Sequence, residues 1–176
     1  MINALIAAIG YVFVCYLLAD LLAGFWHWVE DRYFREDWPV IGKYIAEPND
    51  LHHRKPNAFL AQSYWQRNWT TILPATIGFL LTFPNPLCLV FVFVSQANEI
   101  HAWAHSKGKV SRWVATLQQT GILQSPKHHA DHHRNPFDVK YCVMTDWLNP
   151  LLDQLQFWQR LEWMIERLTG IRPKTA

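Results

Sequence analysis

Charge is scarce in this chain. Asp, Glu, Lys and Arg together make up 17% of it, against about 25% in an average soluble domain. The net charge is only +2 with histidine neutral, too weak a field for a nucleic-acid surface. Cysteine is sparse as well. Cys15, Cys88 and Cys142 show no Cys-x-x-Cys spacing, which argues against a disulfide scaffold. His-Glu-x-x-His is missing, which sets aside the usual metalloprotease arrangement. No repeat or low-complexity tract stands out. No Lys or Arg precedes the first apolar run and no Ala-x-Ala-like site follows it, so that segment is expected to be retained rather than cleaved.

What the chain has in quantity is apolar surface, tryptophan and histidine. Hydrophobic residues make up 51% of its 176 positions, and ten are Trp. A mean hydropathy of −0.06 still requires a sizeable part in water. The reading is an all-α integral membrane protein of one domain, 1–176. It has three transmembrane helices (about 2–26, 69–83 and 87–104) plus amphipathic interfacial helices (about 110–124 and 151–168). Pro84-Asn85-Pro86 would turn the second crossing into the third. Trp65 and Trp69 flank the return to apolar sequence, as interfacial Trp often does. The loop 31–67 and the segment after His105 carry Lys and Arg, while the N-terminal tail and the 84–86 turn carry none. The positive-inside rule then puts both basic segments, and every histidine, on the cytoplasmic side. That membrane would be the inner membrane of a bacterium or the endoplasmic reticulum of a eukaryote.

The nine histidines fall into a pattern. His27 stands alone, His52-His53 are adjacent, and His101-x-x-x-His105 share one helix face. His128-His129-Ala130-Asp131-His132-His133 places 128 above 132 and 129 above 133, two stripes about 100° apart that can serve two metals. For His52-His53, adjacency puts the rings on different faces, so spacing alone leads one to expect only one of them to ligate. His129-x-x-His132-His133 matches the spacing of membrane desaturases and hydroxylases. Asp20, Asp31, Asp50, Glu99 and Asp131 are available as ligands or as carboxylates supporting them. Imidazole-rich sites suit Fe, Zn, Cu or Ni. A structural zinc needs only four ligands, whereas two irons fit the count and can activate O₂ against an unactivated C–H bond. Arg54, Lys55, Lys127 and Arg134 could bind a lipid phosphate, or could simply be topology-setting surface charges. A zinc- or copper-binding membrane protein without redox chemistry remains the alternative outside enzymes.

Longer blocks carry a family resemblance. They are Asp20-x-x-x-Gly24-x-x-His27-Trp28, then Gly42-Lys43-Tyr44 with His52-His53 and Pro56, then the stretch 98–138. Cys142-x-x-x-Asp146-Trp147-Leu148-Asn149 and the end from Phe157 to Lys174 continue them. In these the chain resembles the Kua/CarF-type lipid desaturases, which include plasmanylethanolamine desaturases and a plant plastid phosphatidylglycerol desaturase. The resemblance implies oxidative removal of two hydrogens from a lipid chain with O₂, two Fe ions and external electrons. The double bond would lie near the headgroup end of a membrane phospholipid chain, as in alkyl ether to vinyl ether. An ester-linked acyl chain, or hydroxylation in place of desaturation, is the alternative. The expected metal ligands are His27, His52, His53, His101, His105, His128, His129, His132 and His133. No haem or flavin motif is present, so electrons would come from a separate cytochrome b5-like or ferredoxin-like donor. The oligomeric state stays open. The chain departs from the family at 57–64, where a Thr-Arg-His-Asp-Phe-like stretch is usual and no His is found. If that histidine is a ligand, Asp50, Gln62, Asn68 or water would have to substitute.

Overall fold

The computed structural model describes residues 1–106 and 108–174. Among these residues the secondary structure is helical throughout, with no strand. Helix α1 (Ile2–Arg32) is followed by a π-helical turn (Gly42–Ala46), α2 (Glu47–Arg54) and α3 (Pro56–Ala61). A hairpin comes next, α4 (Tyr64–Thr82) and α5 (Cys88–Val94), and then α6 (Ala97–His105). The chain ends in α7 (Arg112–Gln119), α8 (Pro126–His132), α9 (Leu148–Gln154) and α10 (Phe157–Thr169).

The two halves of α1 have different surroundings. Residues 1–14 are all exposed, with Ile2, Leu5, Ile6 and Ile9 at 60–74%. An apolar helix face uncovered by protein is a surface for lipid. From Cys15 onward the helix is packed. Cys15, Ala19 and Ala23 join Ala75, Val90, Val94, Ala97 and Ile100 in one core. Trp28 joins Tyr141, Cys142, Leu152 and Trp158 in a second. Gly24 lets an irregular stretch lie directly on α1, since a Cβ there would stand 2.7 Å from Cys142 Sγ.

That stretch, 139–147, is not helical, and its middle, 141–145, is buried, so side chains must satisfy its backbone. Asp20 accepts from Met144 N at 2.8 Å and from Thr145 N and Oγ1 at 3.2 and 2.6 Å. Asn149 brackets Cys142, accepting from its N–H at 3.0 Å and donating to its carbonyl at 2.8 Å.

The expectation of three membrane crossings is corrected to one. Among the described residues only α1 is long and apolar enough to span a bilayer. The first turns of α4 hold Gln66, Arg67 and Asn68, and only its remainder is apolar. Helix α5 has seven residues, a rise of about 10 Å, far short of a hydrocarbon core of about 30 Å. The chain breaks at Ser95-Gln96 before α6, which carries Asn98, Glu99, His101 and His105. The expected helix over 151–168 is two helices, separated at Gln156 in the left-handed region with φ 50°. The one expected over 110–124 is only α7. The chain leaves the helix at Thr120-Gly121, and Gln124 bonds instead to Met144 O (2.7 Å, main chain) and Cys142 O (2.6 Å, side chain).

Candidate metal centre

Four helices converge on the polar end of the core and carry the histidines there. On α6, His101 and His105 lie one turn apart, with their Nε2 atoms 3.1 Å from each other. On α8, Ser125 caps the N-terminus by accepting from His128 N, and Pro126 takes the first turn. His129 and His133 then share one stripe and His132 another. On α2, His52 and His53 point to different sides. On α1, His27 and Asp31 are one turn apart.

These side chains form two adjacent groups. The first is His52, His101, His105, His129 and His133, and the second is His27, Asp31, His53 and His132. In the first, Nε2 faces Nε2: His101 to His129 at 2.9 Å, His129 to His105 at 2.7 Å, His133 to His129 at 3.0 Å and His105 to His52 at 3.2 Å. Five converging ring nitrogens cannot satisfy one another, because a neutral imidazole has a single N–H to give. A cation at their centre can. Donors about 2.1 Å from one ion stand about 3.0 Å apart at right angles and about 3.4 Å apart in a tetrahedron. The observed contacts lie in the range expected for nitrogens converging on one ion. Phe59 packs against the rings of His52 and His101, both at 5.0 Å between centroids.

The second group is oriented from behind. His27 Nδ1 donates to Tyr141 O at 3.1 Å and His132 Nδ1 to Val139 O at 2.7 Å. Each bond fixes the tautomer and turns the Nε2 lone pair inward, as carbonyl partners do for metal-bound histidine. The inward atoms His27 Nε2, His132 Nε2 and Asp31 Oδ2 are buried without a hydrogen-bond partner. Asp31 Oδ1 lies 3.0 Å from His53 Nε2 and 2.6 Å from Asn49 Nδ2. A metal ion supplies what those orphaned atoms lack, so the residues present fit one.

Burial also prepares the ligands. Desolvation, reinforced by neighbouring imidazoles, holds His52, His101 and His129 well below the usual histidine range. It pushes His105 down to about 3 and His133 to about 2. At neutral pH these rings are uncharged, the form that binds metal.

A cavity of about 1070 Å³ opens onto both groups, with His27, His52 and His101 in its wall. Its lining is otherwise largely apolar, from Leu22, Ala23 and Phe25 on α1 to Pro74, Phe91 and Val94 on the hairpin.

The sequence matches the lipid desaturase domain family over residues 16–176. This chain belongs to that family. Plasmanylethanolamine desaturase 1 of Mus musculus is 34% identical to it, over 90% of this chain and 65% of its own length. A probable fatty acid desaturase of Acanthamoeba polyphaga mimivirus is 32% identical, over 90% of this chain and 82% of its own. The plasmanylethanolamine desaturase of Myxococcus xanthus is 29% identical, over 93% of this chain and 62% of its own. The chain therefore spans a little under two thirds of the mouse and bacterial relatives. No solved structure matches it.

In this family member, eight of the nine histidines named from sequence enter the two groups. His128 does not. Its Nε2 meets Asn149 Nδ2 at 3.0 Å and its Nδ1 lies 4.0 Å from Asp146. Of the carboxylates, Asp31 alone joins a group, and its place one turn after His27 was the available signal. Asp20 holds the 144–145 backbone, Asp50 pairs with Lys174 (3.1 Å), and Asp131 pairs with Lys140 (2.5 Å) and Arg134 (3.2 Å). Glu99 binds Arg67 at 2.8 Å and Asn68 at 3.2 Å, outside both groups. Arg54, Lys55, Lys127 and Arg134 are exposed and none lines the large cavity.

Proposed function

We propose that this chain is a membrane diiron lipid desaturase. It introduces a double bond near the headgroup end of a phospholipid chain, converting an alkyl ether to a vinyl ether. The observation that carries the reading is the apolar cavity whose wall includes His27, His52 and His101. A hydrocarbon chain lying there has its C–H bonds beside both metal groups. Family membership and two relatives named as plasmanylethanolamine desaturases support the ether reading. The relative named as a fatty acid desaturase supports an ester-linked acyl chain as the second reading.

His52, His101, His105, His129 and His133 would hold one iron, and His27, Asp31, His53 and His132 the other. Iron bound there supplies the oxidising power that an unactivated carbon requires. The chain's own residues set the conditions. Tyr141 O and Val139 O lock two imidazoles in the ligating tautomer, and Asp31 places a negative charge among neutral rings. The apolar wall keeps the chain in register and excludes bulk water. In balance, the two substrate hydrogens, two donor electrons and two protons reduce O₂ to two waters. The electrons come from a separate donor protein.

Iron content by elemental mass spectrometry, paired with product mass from alkyl-ether and diacyl phospholipids, tests the reading. About two irons per chain and a product lighter by two hydrogens are expected. A product heavier by one oxygen would make the enzyme a hydroxylase. Zinc alone in folded protein would overturn the redox assignment.

A further inference from the structure

A second cavity reaches the metal groups from another side. Its volume is about 290 Å³, and it shares no lining residue with the large one. At its deep end are Asp31 and His53, both of the second group, with side chains 5% and 11% exposed. At its mouth are Glu36 and Arg54, at 51% and 65%. Where the large cavity is walled mainly by apolar side chains, this cleft is charged: six of its nine lining residues are Asp, Glu, Arg or Lys. Its three cations are each paired, Arg32 with Glu162 at 2.6 Å, Arg54 with Glu36 at 3.2 Å and Lys174 with Asp50 at 3.1 Å. Among the described residues Asp31 pairs with no Lys or Arg, so negative charge is left at the deep end. Phe137 stands over that end. Its half-buried ring lies 5.1 Å from that of His53, and its backbone is held at φ 56°. This left-handed conformation is unfavourable for a bulky side chain, and such strain concentrates at functional sites and switch segments.

A buried metal site needs an entry path. A hydrated dication would lose its water in an apolar passage at a large cost in solvation, and the large cavity is the place of the lipid chain. We propose that the charged cleft is the port through which ferrous ion enters and leaves the centre, with Phe137 as its gate. The inference rests on the reading that the two groups hold iron. Glu36, whose pairing with Arg54 is exposed and therefore weak, exchanges that partner for the incoming ion. Asp31 draws the ion inward, and the Phe137 ring then shields His53 and the filled group from solvent. The five-histidine group fills behind the second, which it meets at His53 and His133, 4.9 Å apart between ring centroids. Phe137 offers no ligand atom, so it governs the rates of iron exchange and leaves the affinity alone.

Exchange can be read without turnover, on the full chain in detergent, freed of metal by chelator and kept anaerobic. Fe²⁺ alone is the probe, and elemental analysis follows its uptake over time and its release to excess chelator. Phe137→Gly removes the ring and suits a positive φ. It should speed uptake and release several-fold and by the same factor, so that the final iron content stays at the wild-type value. Glu36→Lys, at an exposed position, tests the same port independently of the packing of Phe137. It should slow uptake by about tenfold at low salt, with the difference shrinking at high salt. Added phospholipid should leave the wild-type rate unchanged. Unchanged uptake in either variant overturns the proposal, and so does slowing by phospholipid, which would put the route through the large cavity. A Phe137→Gly protein that releases iron faster but takes it up no faster has lost affinity, and that result overturns the gate. A wild type that takes up no Fe²⁺ would instead overturn the metal reading of the two groups.

Discussion

The distinction between ligand and neighbour is made at single residues. His128 and His132 occupy the same helical stripe, yet His132 is fully buried against Asp31 while His128 turns to Asn149. His128→Ala is therefore expected to keep about two irons per chain. Asp31→Ala should keep about one, because the five-histidine group contains no atom of Asp31 and each group would hold its own ion. Elemental analysis of the two purified variants, with circular dichroism to check folding, decides the matter. Loss of iron in the His128 variant would return that residue to the ligand set.

At the scale of elements, the metal site depends on the seating of the irregular stretch 139–147 against α1. It supplies the carbonyls of Val139 and Tyr141 that aim His132 and His27, and it is held both by nearby Asn149 and by Asp20 on α1, more than a hundred residues away in sequence. Gly24→Ala would force a Cβ against Cys142 Sγ and Cα, at 2.7 and 2.9 Å. Overpacking of this kind costs about 1–3 kcal/mol, so a lower melting temperature is expected. Asp20→Ala removes the acceptor of the Met144 and Thr145 amides. Each buried N–H left unpaired costs about 1–3 kcal/mol. The Asp20 variant should also retain iron more weakly than wild type under chelator challenge. Equal iron loss rates would detach the loop from the site.

For the whole molecule, a cluster of buried neutral imidazoles makes stability depend on pH. Burial lowers the folded values of His52, His101, His105, His129 and His133, with His105 at about 3 and His133 at about 2. An unfolded histidine takes up a proton near 6.5. Below that pH the unfolded state binds more protons, so iron-free protein should lose stability as pH falls from about 6.5 toward about 3. Each such histidine contributes up to about 1.4 kcal/mol per pH unit. Stability should be nearly flat from pH 7 to 8. Denaturant titrations of chelator-treated protein across pH 5–8 check the slope, and a flat profile below 6.5 would contradict the buried, neutral cluster.

Local spacing in the sequence was enough to establish the all-helical class, the long apolar α1 and the metal-binding character of the histidines. Four-residue intervals such as His101–His105 and His129–His133 place rings on one helix face whatever that helix packs against. Adjacency likewise obliges His52 and His53 to point apart. What packs against each face is a different kind of information. The division into two groups, the entry of Asp31 and the exclusion of His128 all depend on how α1, α2, α6 and α8 meet. So does the shortness of the hairpin. The apolar run 87–97, taken as continuing helically to 104, suggested a crossing. The break at Ser95-Gln96 then turns α6 so that His101 and His105 meet α2 and α8. Hydropathy and periodicity are properties of a segment by itself, whereas a metal site is a property of the distances between segments, and only the folded chain sets those.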